Sequence, residues 1–314
     1  MIRLHKWIAT QGVASRRQAE RWITYGRVEV NGVVERTLGR QIDPAKDKVR
    51  VDGELLAQEA PSHVYWMLYK PDATITSKSD PEHRQTIFNL PSLQRVPFPV
   101  VSVGRLDYRT EGLLLLSNDG ELVHRLMHPK YHVARVYDVL LPQRLTDEKI
   151  RRITTGIHLS DGMVSGMHIQ ACGTKNLGAS RGYWYRLTVH EGRNRLVRRV
   201  FEKLGVRIVR LVRMAYGSIR LPDTMQPGEV APLSAEQILA LKRLTELAPA
   251  LPTTFGRRSL PRHTPSQAKP NPTGSPRTLG WKRSSKKAPL SKQTAGTAAT
   301  RRPRSQAKEN TAHE

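Results

Sequence analysis

The sequence predicts an α+β protein: a small helix-helix-hairpin domain, a larger body built on a mostly antiparallel sheet, and a disordered basic tail. Three observations carry that expectation. Residues 1–60 are punctuated as two short amphipathic helices and a hairpin. From there to about residue 245 run short apolar stretches broken by Gly and Pro, without the regular alternation of strand and long helix that a doubly wound sheet requires. Beyond about residue 250 the composition shifts abruptly to Lys, Arg, Pro, Ser and Thr. The expected boundaries are therefore 1–60, 63–245 and 246–314.

In the first domain Leu4, Trp7 and Ile8 sit at helical spacing until Gly12 breaks the pattern. Ser15 followed by Gln18 is a capping box, and Ala19, Trp22 and Ile23 give the next helix an apolar stripe that ends near Gly26. Val28-Glu29-Val30 alternates as a strand, and Asn31-Gly32 supplies a tight hairpin turn. Arg3, Lys6, Arg16, Arg17, Arg21 and Arg27 are left for the polar faces of the two helices. Pro61-Ser62 marks the linker, after which Val64 to Tyr69 reads as a buried strand.

Further along, Asn118-Asp119-Gly120 caps a helix carrying Leu122, Leu126 and Met127, which Pro129 terminates. A 3.6-residue period gathers Leu196, Val197, Val200, Phe201 and Leu204 into one buried arc. Arg195, Arg199 and Glu202 fall opposite, and Arg198 lies at the arc's edge. Residues 251–314 hold 14 Lys and Arg, two acids and eight prolines. Such a segment buries too little apolar area to offset its ordering entropy, so it is expected to stay disordered and to cling to RNA phosphates without specificity.

Overall charge points the same way. Fifty-two Lys and Arg against 27 Asp and Glu leave a formal charge of +25, far above the magnitude of roughly 2 to 8 that solubility asks of a small domain. A potential of that size attracts polyphosphate whatever its sequence. The single cysteine, Cys172, excludes an intramolecular disulfide framework and a cysteine-rich zinc site, and it fits a reducing compartment. No run approaches the roughly 18 apolar residues of a membrane span, and residues 1–20 carry charges throughout instead of a signal core. A cytoplasmic protein with no membrane partner is expected.

The most informative string is Gly104-Arg105-Leu106-Asp107-Tyr108-Arg109-Thr110-Glu111-Gly112-Leu113-Leu114-Leu115-Leu116-Ser117-Asn118-Asp119-Gly120. It sets one carboxylate, with an arginine two residues before it, in a glycine-bracketed loop leading into a buried apolar strand, and rigid backing of that kind suits a catalytic carboxylate. Taken alone, an aspartate beside arginines in a loop is an ordinary ion pair. The whole string, however, closely resembles the signature of pseudouridine synthases of the RsuA/RluB branch, which isomerise uridine in ribosomal RNA. Lys70-Pro71, the stretch from Asp80 to Pro91 and Arg125-Leu126-Met127-His128-Pro129 match as well, and fit the large-subunit members better than the small-subunit type. The order of elements in residues 1–60, with Ser15-Arg16-Arg17, Gly26-Arg27-Val28 and Val30-Asn31-Gly32, resembles the small RNA-binding module of ribosomal protein S-four.

The resemblance implies a mixed sheet whose central cleft holds the RNA, and it implies roles for particular residues. The aspartate matching Asp107 attacks the nucleoside. The arginine matching Arg198 pairs with that aspartate, and the tyrosine matching Tyr137 stacks on the flipped uracil. Arg105 matches an arginine that fills the gap left by the everted base, a task suited to a flat, permanently charged guanidinium. Lys70 is placed with Arg3, Lys6, Arg16, Arg17 and Arg27 among the RNA-binding groups. Two positions depart from the family pattern: Leu196 stands where glutamine or glutamate is common, and Arg135 lies two residues before Tyr137, where the family usually has a lysine or glutamate just ahead of the tyrosine. Asp119 is better explained as a helix cap, and Glu111 as loop structure.

The chemistry agrees with what the chain lacks. Breaking the bond from base nitrogen to sugar, turning the uracil and rejoining it through a ring carbon oxidises nothing and imports no group. Neither metal nor organic cofactor is called for, and the sequence has no Gly-rich phosphate loop or cysteine cluster. It needs an ionised carboxylate, positive charge to hold it so, and a platform for the flipped base. A glycosidase or nucleosidase would need a second carboxylate across the scissile bond, about 5 to 9.5 Å away, and no second acid sits in a comparably constrained loop. A non-catalytic ribosome-assembly factor would keep the basic module and tail but tolerate loss of Asp107, Tyr137 and Arg198, all of which are present. The expected partner is ribosomal RNA or a pre-ribosomal particle, engaged by a monomer.

Overall fold

The computed structural model describes residues 1–178 and 180–248, so the expectation of a disordered tail falls outside the described residues. In the first domain α1 (Leu4–Thr10) and α2 (Arg16–Thr24) pack with a four-stranded sheet around one core containing Leu4, Ile8, Ala19, Ile23 and Val28. The Ser15 hydroxyl accepts the Gln18 N–H at 3.2 Å, which is the forward half of the anticipated capping box. Asn31 and Gly32 take φ of 56° and 82°, the left-handed pair that a two-residue hairpin turn demands.

The body is organised on a nine-stranded sheet. Its strands are β1 (Tyr65–Lys70), β2 (Val101–Ser102), β3 (Glu111–Ser117), β4 (Arg135–Leu141), β5 (His168–Leu177), β6 (Ser180–Val189), β7 (Arg210–Tyr216), β8 (Ile219–Arg220) and β9 (Val230–Pro232). They run in the order β5-β6-β4-β7-β3-β1-β9, with β2 on β3 and β8 on β7. Every ladder is antiparallel except β3 with β7, where Glu111 faces Val212 and Gly112 faces Arg213. The sheet is thus mixed and mostly antiparallel, as expected.

All of β3 is buried, as a strand covered on both faces must be. Alternation sends Leu113 and Leu115 into one core with Leu122 and Leu126, and Leu114 and Leu116 into another with Leu68 and Ile87. Asp119 starts α3 (Gly120–Met127) by accepting the Leu122 N–H at 3.0 Å, the cap anticipated from Asn118-Asp119-Gly120. A third core joins α4 (Asp147–Thr155) and α5 (Leu196–Lys203) to β4, β6 and β7, and the whole apolar arc of α5 is buried in it. The last helix, α6 (Ala235–Leu244), opens on a full capping box between Ser234 and Gln237.

One boundary moves. Thr245 is fully buried, Glu246 turns left-handed at φ 57°, and the Leu247 N–H closes onto the Lys242 carbonyl while its side chain packs on the core. The helix C-cap therefore belongs to the body, which extends through Leu247 instead of stopping at 245.

Candidate active site

The loop carrying Asp107 spans the gap between β2 and β3. At its far end Gly112 takes φ 104°, and a Cβ there would lie 2.3 Å from the Arg213 carbonyl oxygen. Only glycine lets β3 and β7 approach closely enough to pair. The loop backbone is then tied down one carbonyl at a time. Thr76 Oγ1 donates to the Leu106 carbonyl at 2.9 Å, and the Thr110 N–H to that of Asp107 at 3.0 Å. Lys70 Nζ donates to the carbonyls of Pro71 at 2.9 Å, Thr110 at 2.8 Å and, more weakly, Tyr108 at 3.4 Å. Arg198 Nη2 takes the Arg109 carbonyl at 2.6 Å and reaches Thr110 Oγ1 at 3.3 Å. Every carbonyl from Leu106 to Thr110 is engaged.

The Asp107 side chain is treated differently. Its Oδ2 lies 3.8 Å from Arg198 Nε, close enough for Coulomb attraction and too far for a hydrogen bond. Arg198 is the more buried of the two, with side-chain exposures of 15% and 30%. Burial pushes its guanidinium down from the ordinary arginine value, and the facing Asp107 resists that shift.

Arg105, Asp107, Tyr137, Leu196, Arg198 and Arg213 line one cavity of about 170 Å³. Leu106 is buried between two outward neighbours, so the extended segment sends Arg105 and Asp107 the same way, as their spacing anticipated. Tyr137 lies beside a β-bulge in the β4–β7 ladder, where Met214 of β7 is left over between the Val136–Ala215 and Tyr137–Arg213 pairs, a device that re-aims side chains. Leu196, at 5% exposure, supplies an apolar wall. Arg135 is buried, and its guanidinium is spent on the carbonyls of Val133 and His190 and on the Tyr216 hydroxyl. That bonding makes it part of the cavity's frame.

Lys70 requires a correction. The sequence groups it with the RNA-binding residues, yet it is fully buried and its ammonium is committed to three carbonyls. No phosphate can reach it there; it holds the Asp107 loop. Arg3, Lys6, Arg16, Arg17 and Arg27 are exposed on the first domain, with Arg27 bonded to Asp52 and stacked over Trp22. Glu111, read as loop structure, opens β3 and is held by Arg210 at 2.7 Å. Sequence reasoning missed Thr76, Thr110 and Arg213. The first two act through backbone contacts that leave no pattern, but an arginine between Val212 and Met214 in an apolar strand was a visible anomaly.

Comparison with known proteins agrees with this architecture. A family model described as RNA pseudouridylate synthase matches residues 64–203, and an S4 domain model matches residues 2–49. The chain is 40% identical over 250 residues to a ribosomal large subunit pseudouridine synthase B of Yersinia pestis, covering 78% of this chain and 76% of that one. It is 39% identical over 252 residues to the protein of the same name from Escherichia coli (strain K12), covering 79% and 84%. Among solved structures, a crystal structure of a pseudouridylate synthase superposes with a TM-score of 0.51 at 30% identity, over 77% of this chain and 100% of that one.

Proposed function

The chain belongs to the RNA pseudouridylate synthase family, and on that premise we propose that it isomerises one specific uridine of large-subunit ribosomal RNA to pseudouridine. The names of its relatives support the ribosomal substrate. One observation carries the assignment of residues: Asp107, Tyr137 and Arg198 line a single cavity, and the backbone around Asp107 is pinned on every carbonyl while its carboxylate is not hydrogen-bonded to Arg198.

In this reading the target uridine is everted into the cavity and Asp107 attacks the nucleoside. The base parts from the sugar at its nitrogen as the bond to Asp107 forms, turns, and rejoins through a ring carbon as that bond breaks and frees the carboxylate; the proton lost by that carbon balances one gained at the freed nitrogen. Arg198 faces the carboxylate with its positive charge at 3.8 Å. Tyr137 provides the face on which the uracil rests, and Arg105, exposed at the mouth, occupies the gap in the RNA stack. Arg3, Lys6, Arg16, Arg17 and Arg27 hold the surrounding RNA by its phosphates. The enzyme acts as a cytoplasmic monomer on free ribosomal RNA or a pre-ribosomal particle. Among the described residues no helix is long and apolar enough to cross a membrane.

Replacing Asp107 by Asn tests the assignment. The variant should lose isomerisation yet bind RNA as before, since the nucleophile goes and no positive charge does. Residual turnover above about a thousandth of wild type would sink it, because removing a covalent nucleophile typically costs many powers of ten. Mapping pseudouridines in ribosomal RNA with and without the gene identifies the site; an unchanged map would favour a non-catalytic assembly factor.

A further inference from the structure

Among the arginines that line the cavity, Arg213 is given no task by the isomerisation and has a donor to spare. Arg213, in the middle of β7, is 2% exposed, yet among the described residues it is no member of an ion pair: the carboxylates nearby face Arg198 and Arg210. Its Nε donates to the Leu113 carbonyl at 2.7 Å, and its guanidinium carbon lies 5.1 Å from the Tyr216 ring centroid. Its Nη2 is buried with no hydrogen-bond partner among the described residues. Arg135, equally central to the cavity wall and set over the same Tyr216 ring, shows the contrast, because its two terminal nitrogens bind two carbonyls and a hydroxyl. Buried donors of native proteins are nearly always satisfied, so a leftover one on a cavity-lining side chain calls for an acceptor.

Position narrows the choice of acceptor. Arg213 stands directly opposite Tyr137 in the β4–β7 ladder, and both line the cavity with Asp107. Side chains directly opposite one another in an antiparallel pair share a face. The phosphates of an everted nucleotide stay outside at the level of exposed Arg105, so what reaches Tyr137 and Arg213 is the base. The cavity volume of about 170 Å³ suits one six-membered ring, given that an engineered cavity of about 150 Å³ takes benzene.

Resting on the pseudouridine synthase reading, we propose that Arg213 is a specificity residue that donates from Nη2 to the 4-carbonyl oxygen of the flipped uracil, the position at which cytosine carries its amino group. A guanidinium donates and never accepts. Uracil offers a carbonyl oxygen where cytosine offers an amino group, so cytosine would bring donor against donor in a buried site. Sites built to bond a particular group reject the analogue lacking it far more strongly than apolar pockets discriminate by size.

The test pairs enzyme and substrate changes. Target RNA is made with uridine, 2-thiouridine or 4-thiouridine at the modified position, and kcat/KM is measured for wild type, Arg213→Gln and Arg213→Lys. With wild type the 4-thiouridine substrate should lose on the order of tenfold to a hundredfold, the range expected for a bond from a charged donor, while 2-thiouridine, altered at the oxygen that cytosine shares, serves as the control. With Arg213→Gln that same substrate should lose little further, the two changes sharing one interaction. Arg213→Lys, which keeps a charged donor, covers the event that the glutamine variant does not fold. Independent losses from enzyme and substrate changes, or wild-type indifference to 4-thiouridine, would overturn the proposal and leave Arg213 as the prop of the Leu113 carbonyl. If wild type failed to isomerise the uridine RNA at all, the enzyme assignment itself would fall, a result distinct from either.

Discussion

Lys70→Met separates holding the loop from holding the fold. Burial pushes the Lys70 ammonium down from 10.5 to about 8, with Asp72, Glu111 and Asp107 resisting. At about 1.4 kcal/mol per pH unit, the protonated amine costs the folded state about 3 kcal/mol at neutral pH. Methionine removes that cost but strands the acceptors bonded at 2.9 and 2.8 Å, at about 1–3 kcal/mol each. The two effects nearly cancel, so stability should change by no more than about 3 kcal/mol, or roughly 10 °C in Tm for a body of this size. The loop does not share in the cancellation. With the Tyr108 and Thr110 carbonyls released, a shift of about 1 Å at Asp107 should lower kcat about a hundredfold, while RNA affinity holds.

The pH dependence carries a second signature of the same residue. Between about pH 8 and 10.5 the unfolded chain holds the Lys70 proton and the folded chain does not, so this group makes stability rise with pH across that window. Activity should move oppositely, falling above about pH 8 as the charged clamp is neutralised. Thermal unfolding and single-turnover kinetics from pH 6.5 to about 9.5 would read both. A Lys70→Met enzyme with kcat within about threefold of wild type, or one that kept the same basic limb, would refute this role for the residue.

Gly112→Ala should unfold the centre of the sheet, since the new Cβ would meet the Arg213 carbonyl at 2.3 Å at a φ of 104°; a loss of about 3 kcal/mol or more is expected by denaturant titration. Ending the chain near residue 250 removes 14 basic side chains; the slope of log K against log salt should then flatten by about 0.7–0.9 for each phosphate that the tail no longer neutralises. The modified position should stay unchanged, and a moved position or an unaltered slope would refute the tail's role as a nonspecific tether.

What was legible in the sequence is what neighbours in the chain encode. Asn31-Gly32, the Asp119 cap and the buried arc of α5 are each decided within a few residues, and each stands as read. The Asp107 loop is legible because a whole string resembles a known one, not because its physics can be summed. What fails is contact at a distance. Sequence reasoning sends Lys70 to the surface because lysine is almost never fully buried unless its charge is met, and the carbonyls that meet it include two contributed 38 and 40 residues later. Arg213 escapes for the same reason, since its burial follows from a parallel pairing with β3 about a hundred residues earlier in the chain. Both residues lie at the cavity or behind the loop that lines it, where the fold departs from the rule that charges go outside.

The division of labour in the cavity leads to a last prediction. The donors around the Asp107 loop are spent on backbone carbonyls, which leaves the carboxylate attracted to Arg198 across 3.8 Å without a hydrogen bond to it. A nucleophile needs that freedom, because a strongly bonded lone pair attacks poorly. Asp107→Glu keeps charge and chemistry and adds one carbon–carbon bond, about 1.5 Å of reach. Arg198 Nε, buried and without a partner among the described residues, would then capture the longer carboxylate in a charge-assisted hydrogen bond. The captured group is both bound and misplaced, and the pinned loop cannot retreat to compensate. The variant should therefore be at least about a thousandfold slower than wild type and yet slightly more stable, by about 1 kcal/mol after allowance for partial exposure. Single-turnover kinetics and a melting curve on the same sample decide it: an active variant, or an inactive one that melts earlier, would mean that Arg198 does not set the distance at which Asp107 works.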